Sequence, residues 1–253
     1  MSTASARIDP RIRARRVAVI RAQGRRRLRV LVAALAAVVV VVGAWLLVMS
    51  PVLDVDRITV RGVDDQLAID VRSAAGVETG TPLLLLDPGR VERRIEAVPA
   101  VLDARVDREL PDGLRITVVE RTPAAWAPSA DGSIAVLDRS GRAIASAAAA
   151  PPLPEITGLE RVPALGRTSD ASAAAAGVLA DLPSELRARV TTVVTAPGAV
   201  TVGLDDGVEV RLGRPRNVAT KARTAEAVLA ARGDAPIAYV DVSVPTAPVT
   251  GRG

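Results

Sequence analysis

The sequence predicts an α+β protein carried on a single transmembrane helix. Three observations predict it. Residues 30–49 form an uncharged, proline-free apolar run; residues 55–122 read as a strand, two helices and a hairpin; residues 123–244 read as further strands with flanking helices. Between and around them lie an arginine-rich tail at 1–29, a link at 50–54 and a flexible tail at 245–253.

The apolar run comes first. Twenty residues at about 1.5 Å each span about 30 Å, the thickness of a bilayer's hydrocarbon core. A cleaved signal peptide is the main competitor, but its apolar core is shorter and ends in small residues, whereas this run ends LLVMSP. A retained anchor is therefore expected. Residues 1–29 hold ten arginines and one acid. That segment is +9 against a total of +5, which leaves −4 for the remainder. An arginine-rich nucleic-acid arm is one reading of the tail. Next to an apolar run, the positive-inside rule is the better one: it keeps 1–29 in the cytoplasm and exports everything after Ser50. Trp45, near the far end of the run, suits the headgroup interface.

In 55–60, Ile58 and Val60 alternate with Arg57 and Thr59, the period of a strand. Asp64 or Asp65 caps a short helix with Leu67, Val71 and Ala74 facing inward, closed by Gly76. Residues 80–87 (GTPLLLLD) are expected to form a buried connection. Asp87 as N-cap with Pro88 behind it opens a second helix, with Val91, Ile95 and Val98 at helical spacing. Leu102, Ala104 and Val106, then Leu114, Ile116 and Val118, alternate on either side of the Pro111-Asp112-Gly113 turn. The second half opens with a hairpin around Arg139-Ser140-Gly141. A proline-rich crossing follows, then an alanine-rich helix at 169–182. Three strands at 190–195, 199–204 and 208–212 come next, then a helix at 217–232 stopped by Gly233. A last strand at 237–244 ends the series.

Composition excludes most chemistry. The chain has no Cys and no His, and only three aromatics: Trp45, Trp126 and Tyr239. This removes thiolate chemistry, the commonest metal ligand and the usual general base. It also leaves almost nothing on which nucleobases stack. Lys221, the one lysine, is expected on the solvated side of its helix rather than in a Ser/Lys dyad. Asp205-Asp206 followed by Gly207 reads as a hairpin turn rather than a cation site. No catalysis, cofactor or metal is expected.

In this setting the segment VDRITVRGV…VPAVLDARVDRELPDGLRITVVERTPAA resembles the POTRA domain of the bacterial FtsQ/DivIB cell-division family. The matching positions are Pro99, Val101, Ala104, Val106, Arg108, Pro111, Leu114, Ile116, Val118, Glu120, Arg121, Pro123 and Ala125. VEVRLGRPRNVATKARTAEAVL and IAYVDVSVPTAPV resemble the family's closing β-domain. The resemblance implies a septal scaffold in the cytoplasmic membrane, with a POTRA domain at 55–122 and a β-domain at 123–244. It implies partners of the small bitopic FtsB/DivIC and FtsL type, with other division proteins on the POTRA domain. The alternative is a membrane-anchored accessory of protein export or envelope assembly.

Residues 235–249 carry one charge, Asp241. Soluble proteins guard edge strands with Lys, Pro or bulges. The stretch is therefore either an interior strand or an open edge that accepts another chain by strand addition. The resemblance favours the open edge and puts partner contact on Tyr239, Val240, Asp241, Val242, Ser243 and Val244.

Overall fold

A computed structural model of the chain describes residues 28–46, 50–129, 132–231 and 236–252. Most of the arginine-rich tail, the end of the apolar run at 47–49 and the helix stop at Gly233 lie outside them. The α+β layout is the one expected. The described part of the apolar run is a helix, α1 (Leu28–Leu46), exposed along its whole length. It is long and apolar enough to cross a membrane.

The described residues divide into two compact units. The first holds α1 with the residues up to Arg57, Glu78–Leu86 and Arg108–Gly113. In it the 50–57 segment is tied to both of the others by main-chain bonds. Val55 N–H donates to Thr81, Leu83 N–H to Leu53, and Asp56 and Arg57 N–H both to Asp112. Leu83 and Leu86 are buried, but Leu84 and Leu85 are exposed. The four-leucine run is thus only half of the buried connection expected, because the segment folds in turns that send the middle pair outward.

The second unit begins at Ile58, within strand β1 (Arg57–Arg61), and holds helices α2 (Asp65–Ala75) and α3 (Pro88–Glu96). Strands β2 (Val101–Glu109) and β3 (Gly113–Glu120) follow, and the sheet order is β1-β3-β2. The caps are those the sequence predicts. Asp64 accepts from Leu67 N–H at 2.8 Å, Asp87 from Arg90 N–H at 3.3 Å, and Gly76 closes α2 at φ +56°. That left-handed φ favours glycine. In β2 the inward positions are Val101, Ala104 and Val106. Leu102 faces out, so the alternation slips at the start of the strand.

The rest of this unit is a nine-stranded mixed sheet of order β12-β11-β10-β9-β8-β7-β4-β5-β6. Its strands are β4 (Pro123–Pro128), β5 (Ile134–Asp138), β6 (Ala143–Ala147) and β7 (Glu155–Thr157). The series continues with β8 (Val190–Ala196), β9 (Ala199–Leu204) and β10 (Glu209–Gly213). It ends with β11 (Tyr239–Asp241) and β12 (Val249–Gly251). Helix α4 (Asp170–Asp181) packs on β8 and β4, and a short α5 (Ser184–Ala188) follows it. Helix α6 (Val218–Ala231) packs on β10, β11 and α4. One apolar cluster, rich in Val and Ala, runs through all of them except β12.

Candidate functional site

The expected partner segment sits at one end of this sheet. It is not one eight-residue strand. Only Tyr239–Asp241 pair, in parallel with β10: Glu209 opposite Tyr239, Arg211 opposite Asp241. The reason the strand stops is local. The Asp241 carboxylate accepts from Ser243 Oγ at 2.6 Å and from Ser243 N–H at 2.9 Å, a turn that competes with continued pairing. These bonds, the hydroxyl first, hold Asp241 below the usual carboxylate range; burial opposes them, and Arg211 and Lys221 add to them. After the turn the chain doubles back, and Val249–Gly251 pair antiparallel with Tyr239–Asp241. Residues expected in a flexible tail therefore form the outermost strand.

This places the candidate residues as follows. Val240 and Val242 are fully buried, and Val242 N–H donates to the Arg211 carbonyl at 3.0 Å. Tyr239 and Asp241 are half-buried, while Ser243 and Val244 are exposed. The alternation puts Val240 and Val242 into the core and Tyr239, Asp241 and Ser243 on the other face. The Arg211 guanidinium carbon lies 3.8 Å from the centroid of the Tyr239 ring. The same ring lies against Gly251, where a Cβ would run into its Cε1 and Cζ atoms. β11 thus has β10 on one side and β12 on the other, and it is not itself an edge. The edge is β12, which sequence reasoning missed. A three-residue strand is too short for period-2 alternation to show.

Lys221 is buried, not solvated. Its Nζ donates to the carbonyls of Leu212 at 2.7 Å and Arg214 at 2.9 Å, fixing the end of β10 beside the candidate strand. The signal was present: Lys221 stands three residues after Val218 and four before Ala225, on the helix's buried stripe. Asp205 and Asp206 meet Arg189 at 3.1 and 2.7 Å, so an arginine faces the carboxylates that a cation would need. What the site offers chemically is main chain: a short outer strand, an aromatic ring behind it and Arg211 beside it.

Comparisons with known proteins agree with this architecture. Residues 53–121 match the family model of the FtsQ-type POTRA domain. Residues 124–243 match that of the cell division protein FtsQ/DivIB C-terminal region. The cell division protein FtsQ of Streptomyces collinus is 34% identical over 247 residues, covering 90% of this chain and 89% of that protein. FtsQ of Mycobacterium tuberculosis strain H37Rv is 32% identical over 226 residues, covering 88% of this chain and 69% of its own. A solved extracytoplasmic domain of the division protein DivIB from Geobacillus stearothermophilus is 26% identical over 44% of this chain and 93% of its own. The TM-score of that match is 0.34.

Proposed function

The chain belongs to the FtsQ/DivIB family of cell division proteins, and from that premise we propose that it is a non-catalytic scaffold of the septal machine. Helix α1 holds it in the cytoplasmic membrane as a single-pass anchor, with the arginine-rich tail inside and the folded domains outside. There, at the septum, the POTRA domain (55–122) docks other division proteins. The β-domain (123–244 with its terminal strand) binds small bitopic partners of the FtsB/DivIC and FtsL type. It thereby links early and late components.

One observation carries this reading: β12 is the last strand in the sheet, with β11 on its inner side only. A partner segment adds to its outer side, main-chain bonds giving affinity and flanking side chains giving choice. Tyr239–Val244 then support the edge from behind: Tyr239 packs on Gly251, and Val240 and Val242 fix the strand to the core. So small an edge suits an affinity of about micromolar order.

The test follows from the register. Proline at Val242 would attack the fold, because that N–H bonds to Arg211. Proline at Val249 and at Thr250, taken in turn, tests the edge, since successive N–H groups point to opposite sides of a strand. One of the two should abolish co-purification of the bitopic partners while the chain stays folded. Photo-crosslinkers at Val249 should capture those partners in dividing cells. If both proline variants retain full partner binding, strand addition at β12 is wrong.

A further inference from the structure

The unit that carries the anchor also carries four exposed apolar side chains that the fold does not explain. Val52 is 65% exposed, Leu84 40%, Leu85 61% and Leu110 66%. Scattered exposed leucines are ordinary, but these are gathered by the main chain onto one short segment. Leu83, next to Leu84, donates its N–H to Leu53 at 2.9 Å, and Asp54 bridges to Pro82. Leu110 opens the Leu110–Gly113 turn, whose Asp112 carbonyl accepts from Asp56 and Arg57 at 2.9 and 3.2 Å. Both apolar loops are thus pinned to residues 53–57.

That segment is itself tethered to the membrane. Leu53 lies seven residues beyond Leu46, the end of α1. Seven residues reach at most about 25 Å even when fully extended. The headgroup layer beyond the hydrocarbon core is itself about 5–8 Å thick on each side. Whatever the tilt of the unit, these loops stay close to the surface through which the chain has just emerged. A short tether gives a weak contact a high effective concentration, and a span plus an apolar surface contact supplies two membrane signals.

On the anchor reading proposed above, we infer that Val52, Leu84, Leu85 and Leu110 form a membrane-docking surface that dips into the outer-leaflet interface. The surface works by apolar burial and not by charge. The three segments hold Arg57 and Arg108 against Asp54, Asp56, Glu78, Glu109 and Asp112, a net −3. Anionic lipid therefore opposes docking, the reverse of a polybasic site. The contact holds the start of the folded domains against the membrane, so that the anchor transmits their position rather than leaving them to swing.

Because the chain has no cysteine, a single introduced thiol reports one position. The full chain is reconstituted into phosphatidylcholine vesicles with an environment-sensitive fluorophore at Leu85→Cys, Leu110→Cys or, as control, Ser146→Cys on β6. The expected result is blue-shifted emission at positions 85 and 110. Both probes should be protected several-fold from aqueous iodide and quenched by lipid-borne spin labels, with neither effect at 146. Replacing a third of the lipid by phosphatidylglycerol should reduce the protection, and Leu84→Asn with Leu85→Asn should wet the probe at 110. Chains that float with the vesicles but show wet probes at 85 and 110 overturn the inference and leave the anchor standing. Chains that do not float overturn both. Protection that appears only when several chains share a vesicle means self-association and also overturns it.

Discussion

At the β6 end of the nine-stranded sheet the outer strands are tied down by side-chain hydrogen bonds; at the β12 end the outermost strand is held almost entirely by main chain. The Asp138 carboxylate, at the end of β5, accepts from Arg121 at 2.8 Å, from Ser140 Oγ at 2.6 Å, and from the N–H groups of Ser140 and Arg142 at 2.8 and 3.0 Å. Ser172, buried on α4, donates to the Gly141 carbonyl at 2.8 Å. The start of β6 is covered as well: Ala143 exchanges bonds with Arg167 and Gly166 at 2.9 and 2.8 Å. β12 has none of this. It is three residues long, Val249 and Thr250 are exposed, and the Tyr239 ring lies against Gly251. Edges of soluble proteins are normally shielded. One end of this sheet follows that rule. The other departs from it at the place where the proposed partner strand adds.

Breaking the fixed end should have the largest effect. Arg121 is nearly buried and joins the start of β2 to the end of β5: its main-chain N–H and its Nε donate to the carbonyls of Ala100 and Val101, and its guanidinium meets Asp138. Arg121→Ala leaves a buried carboxylate without its cation, which costs about 3–5 kcal/mol in comparable sites. The three remaining donors on Asp138 place the expected loss near the lower end. Urea unfolding of the full chain in mild detergent measures it. A loss under about 1 kcal/mol, the level of a surface pair, would show that the β6 end is no better fixed than the other.

Acid should separate the two ends less strongly. Burial pushes the Asp138 carboxyl up, but the Ser140 hydroxyl, Arg121 and the Arg142 and Ser140 N–H groups together bring it below its ordinary value. Asp241 is also lowered, chiefly by Ser243, but it is more exposed. A carboxylate whose folded value is depressed contributes stability that is present above its unfolded value, about pH 3.9, and lost as pH falls through the folded one. Stability should therefore fall below about pH 4. Asp138→Asn should flatten that fall more than Asp241→Asn, as followed by thermal unfolding at a series of pH values. Equal flattening by the two variants would remove the asymmetry.

The sequence made the fixed parts legible and left the open edge hidden, for physical reasons. Caps at Asp64, Asp87 and Gly76 are local devices, written in single residues at fixed offsets. The inward positions of β3, at Leu114, Ile116 and Val118, are written in alternation. What was not legible depends on distant partners. β4 begins and ends in proline, and β7 has three residues; both are strands because their neighbours pair with them. Lys221 is buried because two carbonyl oxygens await it. At the candidate site, Tyr239, Val240 and Asp241 were legible as a strand, but its true length and its neighbour were not. Asp241 ends it through a side-chain bond to Ser243, and Val249–Gly251 carry no pattern of their own.

The smallest effect should come from the contact of the Tyr239 ring with Gly251 at the open end. Gly251→Ala sets a methyl against the Tyr239 ring. In a close-packed core such overpacking costs about 1–3 kcal/mol. Here β12 has solvent beside it and lifts away, so global stability should change by no more than about 0.5 kcal/mol, as for a surface site. The change should appear instead in local opening. Ala238 N–H, which donates to the Gly251 carbonyl at 2.8 Å, should exchange faster with deuterium, while the amides of β5 and β6 stay unchanged. Partner binding should weaken in step, because an added strand needs β12 in place. Tyr239→Ala removes the ring and its stacking on Arg211, and loosens the same bond by a different route. The two changes together should then be no worse than the worse single one, since they share one contact. Full additivity would show that Gly251 is held by something other than that ring, and that the open end is braced in a way its main-chain bonds do not account for.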